Sequence, residues 1–358
     1  MKKTCIKYYH FEDDLNKYPN AWCYVVWSKR GPGKTYSSLK YAYEQKIPII
    51  YMKRTIDDVN LICSNAGNAE FDPSPYVPIN RDHGYNIKPV LIKDGLGGFY
   101  NFNADNEPEG KPVSYVLAAS AIKKFKGFEF GCDWILFDEF IPQLGERISR
   151  KEGELLLDLY MTVSRDRQKR GKKPLKLVLF ANAEEISTPI TNTLEIVDSM
   201  ADMCASGQSH LYDDQRDIML HHITNEEVPI LEEEKEGIYK AMTGTSWGAK
   251  TFEGTFANND FSNVKANTLK GKTPFIHIHY KNKDYYVYMD KNKGTYYMCY
   301  SKGKCLFDYD LNKENHQKKF WIEHQAYLRD ATIEGNMLYQ KYTMYDLVIN
   351  FKKFFDVH

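Results

Sequence analysis

Residues 22–27, WCYVVW, are apolar without alternation, the pattern of a central strand covered on both faces. A glycine-rich turn follows at once. KTYSSLKYAYEQ then carries helical spacing to about residue 45, and IPIIYM at 47–52 reads as a second buried strand. Strand, loop, helix and strand in this order open an α/β nucleotide-binding fold on a mostly parallel sheet. Residues 64–112 are rich in Asn, Gly, Pro and Asp, with weak strand signals at 88–93 and 98–102, and are read as an excursion at a sheet edge. Strand patterns return at 112–120 and at 133–140, DWILFDEF, which ends in two acids. A helix is predicted from about 153 to 165 through Leu155, Leu156, Leu159 and Val163. The basic turn KRGKK then leads into another central strand, LKLVLFANA at 175–183.

Beyond Pro189 the periodicity weakens. Residues 193–203 read as helix, 216–223 as strand, and 224–245, acidic and then small and polar, as a lid or linker. From 246 the composition changes. TPFIHIHY (273–280), KDYYVYM (283–289) and GTYYMCY (294–300) are aromatic strands joined by Lys/Asn/Gly turns, an antiparallel meander that helical patterns from 316 onward would cover. At 358 residues the chain exceeds the roughly 250–300 at which single cores stop growing. The expected division is a nucleotide-binding domain over 1–223, the lid or linker over 224–245, and a smaller β-rich α+β domain over 246–358.

Forty-eight basic residues balance forty-eight acidic ones, so net charge neither requires nor excludes a nucleic-acid partner. The seven cysteines form no C-x-x-C pair and lie mostly in apolar or aromatic surroundings, as expected of reduced intracellular thiols. No apolar run follows the lysines of MKKTCIKYYHFEDD, and no window approaches the roughly 18 apolar residues of a membrane span, so neither a signal peptide nor a membrane partner is expected.

The candidate chemistry starts at 27–35, WSKRGPGKT, a phosphate-binding loop pattern with Ser28 at the position of the first glycine. Gly31 and Gly33 would let backbone N–H groups converge on the β-phosphate of ATP, Lys34 would reach the β- and γ-phosphates, and Thr35 would ligate Mg²⁺. Lys29, Arg30 and Tyr36 complete the stretch, and Pro32 pre-sets its turn. Asp138 falls at the carboxyl edge of the sheet, where it would hold Mg²⁺ through water, while Glu139 would orient and deprotonate the attacking water. An adjacent carboxylate pair favours a hydrolase over a phosphotransferase. Asn182 stands either to hydrogen-bond the lytic water or as a plain turn residue.

Arg165 and Arg167 close the helix after the acids. They are either helix-end cations favoured by the dipole or guanidiniums that neutralise charge developing at a γ-phosphate, in a ring from a neighbouring subunit. Lys123, Lys124 and Lys126 are open between a solvated face, a phosphate track and a second trans-acting charge. Over 265–305, nine lysines meet two aspartates, an excess of seven positive charges that points to a nucleic-acid or phosphate-rich partner. Interleaved tyrosines at 285, 286, 288, 296 and 297 alternate, so most are expected to pack in the core rather than stack on bases.

In order, Arg30-Gly31-x-Gly33-Lys34-Thr35-Tyr36, Tyr51-Met-Lys-Arg54, Phe137-Asp-Glu-Phe-Ile141, Met161-Thr-Val-Ser-Arg165-Asp-Arg167, Asn182-Ala183 and Gly244-Thr-Ser-Trp-Gly248 resemble, over nearly the whole chain, the genome-packaging motor ATPases of small tailed phages of the phi29 type. The resemblance implies a P-loop NTPase domain of the ASCE/RecA-like kind, followed by a domain resembling a vestigial RNase H-like nuclease. It implies a homopentameric ring in the host cytoplasm, docked at the portal vertex of a prohead and pumping double-stranded DNA inward, in this family sometimes on a structural RNA. By the same resemblance Arg165 looks like the trans-acting arginine finger and Lys124 like a second trans-acting residue. Two departures stand out: Ser28, and Thr55-Ile56-Asp57 where the family can carry a basic residue near the subunit interface, a place Lys53 or Arg54 would fill.

A two-metal nuclease needs three or four carboxylates converging from strand ends. Asp284 and Asp290, read as turn residues, with Asp308 and Asp310 beyond them, offer no such set, so no nuclease metal site is expected. The competing readings are a large-terminase-type motor with an active nuclease, a DNA helicase on the same core, and a nucleotide or small-molecule kinase.

Overall fold

The computed structural model describes residues 7–68, 70–125, 128–143, 145–146 and 148–357; Cys5 and Lys126 lie outside them. The described residues form two compact units. One comprises those up to Leu194 together with Met203–Asn258; the other comprises Glu195–Asp202 together with those from Asn259 on. The seam near 258 differs from the expected junctions at 223 and 246. Residues 224–258 pack with the first unit through long-range contacts, such as Lys29 with Val228, that no local pattern announces.

The first unit is built on nine strands: β1 (Cys23–Ser28), β2 (Ile49–Lys53), β3 (Ile87–Lys93), β4 (Leu96–Phe102), β5 (Pro108–Ala118), β6 (Trp134–Asp138), β7 (Lys176–Asn182), β8 (His210–Asp213) and β9 (Ile218–Ile223). They lie in the order β3-β4-β5-β2-β6-β7-β1-β9-β8. Every neighbour pair from β5 through β9 is parallel; β3 and β4 at one edge and β8 at the other pair antiparallel. All six residues of β1 are buried. Because successive side chains point to opposite faces, both faces of the sheet are covered there, which is why the strand reads as an unbroken apolar run.

Strand order decides where chemistry can sit. β1 lies between β7 and β9, and β6 is separated from β1 by β7. The chain leaves β1 across two strands to β2, returns through β6 and β7, then passes to the far side of β1, so the winding reverses beside β1. A crevice opens at the carboxyl ends of strands at such a reversal. Ser28, Lys53, Asp138 and Asn182 all end strands on that edge.

Five helices support the sheet edge and its surroundings: α1 (Phe11–Lys17), α2 (Lys34–Glu44), α3 (Ile56–Ser64), α4 (Val77–His83) and α5 (Glu152–Ser164). The expected helices are α2 and α5. α1 carries no clear periodicity in its seven residues; Phe11 anchors it, edge-on to Tyr24, Trp134 and Phe180. α3 is announced by a capping box, Thr55 accepting the Asp58 N–H while the Asp58 side chain accepts the Thr55 N–H.

The second unit carries β10 (Thr273–Tyr280), β11 (Lys283–Asp290), β12 (Thr295–Cys299), β13 (Phe307–Asp310) and β14 (Met337–Tyr339), in the order β13-β10-β11-β12-β14. The meander β10-β11-β12 is antiparallel as expected, whereas β13 and β14 add to its edges in parallel. Tyr286, Tyr288 and Tyr297 cluster with Cys299 in the core. Asp284 and Asp290 lie within β11 and Asp308 within β13, not in turns. Among the described residues no helix is long and apolar enough to cross a membrane.

Candidate functional site

Between Ser28 and Lys34 the chain must turn from the end of β1 into the start of α2. Gly31 and Gly33 do this at φ of 85° and 96°, a left-handed region that costs a side-chain-bearing residue roughly 1–2 kcal/mol. Gly33 immediately precedes α2, and its carbonyl accepts the Ser37 N–H at 2.9 Å. The unpaired N–H groups of the first helical turn and the positive end of the helix dipole therefore face the crevice, ready for an anion.

Lys34 is buried. Its ammonium rests on Ser28 Oγ, with Lys29 O and Asn182 Oδ1 each at 3.5 Å. Burial pushes its pKa down to about 8, although Asp138 and Glu139 pull the other way. Serine in place of glycine thus gives the ammonium a hydroxyl partner.

Thr35 Oγ1 donates to Asp138 Oδ2 at 3.0 Å and joins the first turn of α2 to the end of β6. The same oxygen accepts from Tyr51 OH at 3.0 Å, and Lys53 Nζ lies 4.0 Å away. A hydroxyl beside a carboxylate, both hard oxygens at one mouth of the crevice, fits a Mg²⁺ ion that keeps several of its waters.

Glu139 follows at φ 56°, left-handed for a residue with a Cβ. Arg54 braces that bend: its guanidinium donates to Glu139 O at 2.9 Å and Phe140 O at 2.8 Å, and pairs with the buried carboxylate of Glu152. Lys53 Nζ donates to Glu139 Oε2 at 3.0 Å. Burial alone would lower the Lys53 pKa, but Asp138 and Glu139 outweigh it and the ammonium is held charged.

A cavity of about 460 Å³ opens beside the glycine turn, lined among others by Tyr8, Phe11, Gly31, Gly33, Tyr36 and Tyr41, a size usual for small-molecule pockets. Tyr36 OH is held by Asp82 Oδ2 at 3.1 Å and His83 Nε2 at 3.0 Å. The Lys29 side chain instead points away into the protein, donating to Asn225 Oδ1 and Val228 O, both at 2.8 Å, while Arg30 is exposed.

Gly254 backs the turn so closely that a Cβ there would stand 2.3 Å from Lys29 N. Gly254→Ala is expected to cost more than about 2 kcal/mol in denaturant unfolding. Gly131→Ala, at a similar φ of 64° with nothing within 4 Å, should show only the left-handed backbone cost of roughly 1 kcal/mol. Equal losses in the two variants would mean that Gly254 does not support the turn.

Three expected residues are not brought to this crevice. α5 runs back toward the amino ends of the strands, where Tyr160 OH donates to Leu175 O at 2.9 Å and its ring meets Trp22. Arg165, just past α5, is exposed at that edge. Arg167 is buried and fully engaged, with Nε on Lys173 O at 3.0 Å, Nη1 on Cys132 O at 2.5 Å and an ion pair to Asp133. Lys124 is exposed and pairs with Asp94 at 3.2 Å. Conversely, Tyr51 meets Asp138, and Lys53 and Arg54 meet Glu139, contacts that no sequence periodicity announces. The available signal is polar side chains at the carboxyl end of an otherwise buried strand.

Neither a family model nor a curated protein matches the sequence. Among solved structures, the viral genome packaging motor assembly of bacteriophage Phi-29 is similar at 18% identity, over 97% of this chain and 99% of that one, with a TM-score of 0.62. The gp11 DNA packaging motor of Phi-28 is similar at 15% identity, over 97% of this chain and 96% of that one, with a TM-score of 0.61. Over nearly its whole length, the chain shares the fold of these two phage packaging-motor structures.

Proposed function

We propose that this chain is the ATPase subunit of an oligomeric ring that drives double-stranded viral DNA into a preformed prohead at its portal vertex. The observation that carries this reading is the Thr35–Asp138 hydrogen bond of 3.0 Å, which joins the glycine turn to the acidic strand with Lys34 on one side and Glu139 on the other. The full-length likeness to packaging-motor structures supports the choice among ATP-using machines.

In this reading the triphosphate of ATP lies along residues 28–36, the backbone N–H groups of Gly31, Gly33 and Lys34 hold its β-phosphate, and Lys34 leaves Ser28 for the β- and γ-oxygens. The nucleoside occupies the cavity under Tyr8 and Tyr36. Mg²⁺ held by Thr35 and Asp138 would neutralise charge on the β- and γ-phosphates. Glu139 takes a proton from the attacking water, Lys53 holds the resting carboxylate in position, and Asn182 steadies the γ-phosphate end. Arg165 of a neighbouring subunit completes the site; Lys124 is assigned to the same interface.

The lysine-rich meander of the second unit, read as a vestigial RNase H-like nuclease domain, contacts backbone phosphates of DNA or the prohead and its structural RNA. Its aspartates are otherwise occupied: Asp284 and Asp308 bond His277 at 3.1 and 2.5 Å, Asp290 receives the Asn292 N–H at 3.1 Å, and Asp310 pairs with Lys313 at 3.0 Å. DNA cutting is not part of the proposal.

The test is ATP hydrolysis with and without double-stranded DNA, with molecular mass recorded at the same protein concentration. Stimulation by DNA in a species of several subunits, five by the resemblance, is expected. ATP consumption that tracks a small acceptor and ignores DNA would assign a kinase, and unwinding of forked duplex without a prohead would assign a helicase.

A further inference from the structure

A second polar cluster lies in the first unit, apart from Lys34, Asp138 and Glu139. His210 on β8 and His221 on β9 face each other across the antiparallel pair, and their rings stack with centroids 3.8 Å apart. A carboxylate stands at each end of the stack. Asp14 on α1 meets His221 Nδ1 at 2.8 Å and His210 Nε2 at 3.6 Å. Glu227 meets the opposite nitrogens, His221 Nε2 at 2.8 Å and His210 Nδ1 at 3.7 Å. Asp14 and His221 are buried, and Tyr9 OH donates to Asp14 Oδ2 at 2.7 Å. One donor atom from each of Asp14, His210 and His221 lies within 4.8 Å of the others.

Charge decides what such a cluster can hold. Two carboxylates and two imidazoles converge here, with Asp14 and His221 buried. A divalent cation neutralises both carboxylates and leaves both rings neutral. Imidazole and carboxylate donors together suit Zn²⁺, whereas Mg²⁺ prefers oxygen alone.

We propose that Asp14, His210 and His221 form a site for a divalent transition metal of the Zn²⁺ class, with Glu227 accepting from His221 Nε2 and Ser209 Oγ accepting from His210 Nδ1 to orient the two rings. That outer carboxylate is the usual support of a metal-bound imidazole. Tetrahedral Zn²⁺ with bonds of about 2.0–2.1 Å holds its ligands roughly 3.3 Å apart. The stacked rings must therefore splay so that both nitrogens aim at one point. His210, with 21% of its side chain exposed and Nδ1 on Ser209 Oγ at 2.9 Å, is the ring that turns about that hydrogen bond, while His221 stays in the core. Binding displaces ring protons on the Asp14 side into solvent.

The cluster also fastens both flanks of the glycine turn. Tyr9, beside it, donates its N–H to Pro32 O at 3.0 Å, and Val228, next to Glu227, accepts from Lys29 Nζ. A metal here stiffens the segments that hold the turn from either side and so raises nucleotide affinity without touching nucleotide. This coupling rests on the reading of the turn as a nucleotide site; the metal site does not.

The experiment is equilibrium dialysis of the full chain against Co²⁺ or Zn²⁺ in excess Mg²⁺, with bound metal counted by elemental analysis and Co²⁺ followed by its visible absorption. One ion per chain is expected, with the intense bands of four-coordinate Co²⁺. His210→Asn should lose at least about 100-fold in affinity and Glu227→Gln about 10- to 100-fold, both with an unchanged circular dichroism spectrum, while His277→Ala, between Asp284 and Asp308 in the second unit, keeps the ion. No ion above background, equal binding by wild type and His210→Asn, or loss with His277→Ala overturns the site. Nucleotide affinity that is identical with and without the ion overturns the coupling alone. Metal uptake by a chain that binds no nucleotide at all leaves the site standing and removes the ATPase reading.

Discussion

Glu139→Gln is expected to slow ATP turnover by about 10²–10⁴-fold, the usual worth of a positioned general base, while ATP and Mg²⁺ binding stay within about threefold of wild type. The amide keeps the shape of the side chain, and its oxygen can still accept from Lys53 Nζ, 3.0 Å away in the wild type. It cannot take a proton from water. Nothing that forms the phosphate end of the crevice depends on this carboxylate: Thr35 is held by Asp138, Lys34 by Ser28, and the bend at Glu139 by Arg54 through backbone carbonyls. Phosphate release gives turnover and a nucleotide titration gives affinity. A variant that turns over like wild type, or that loses binding in the same proportion as rate, would remove Glu139 from the role of base.

The central strands of this fold are plain in the sequence because burial on both faces removes alternation and leaves abrupt apolar runs. Those runs end at the candidate site, at Ser28 after WCYVVW and at Asp138 after WILF, so the positions of the glycine turn and the acid pair are legible. What they touch is not. Lys53 meets Glu139 across 86 residues only because β2 and β6 are neighbours, a fact of strand order that periodicity does not carry. β13 and β14, of four and three residues, are too short to show a period at all. The seam near 258 was missed for a related reason: residues 249–254 join the first unit through the approach of Gly254 to the Lys29 backbone, a tertiary contact with no local pattern. Composition was also silent on the choice between Arg165 and Arg167, which differ in burial and not in spacing.

That difference leads to the second large effect, a loss of about 10³–10⁵-fold in turnover for Arg165→Ala in the assembled ring, the range associated with arginine fingers. Arg167 is spent on Cys132, Lys173 and Asp133, so Arg167→Ala should unfold more easily and is no substitute. Among the described residues Arg165 makes no such contacts, but it stands at the amino-terminal edge of the sheet. Its own Asp138 and Asn182 end strands at the opposite edge, the length of the seven-residue β7 away, roughly 20 Å at about 3.3 Å per residue. An arginine side chain does not span that distance, so if Arg165 acts on a γ-phosphate it acts on a neighbour's. Complementation isolates this claim. Glu139→Gln subunits keep the arginine and Arg165→Ala subunits keep the base, so in mixed rings an Arg165→Ala site beside a Glu139→Gln neighbour has both. Two preparations that are inactive apart should hydrolyse ATP once mixed and reassembled. If the mixture hydrolyses no faster than its parts, at protein concentrations where ring assembly is verified by mass, Arg165 is not supplied in trans, and the residue that completes the site must be sought on the same chain near Lys53.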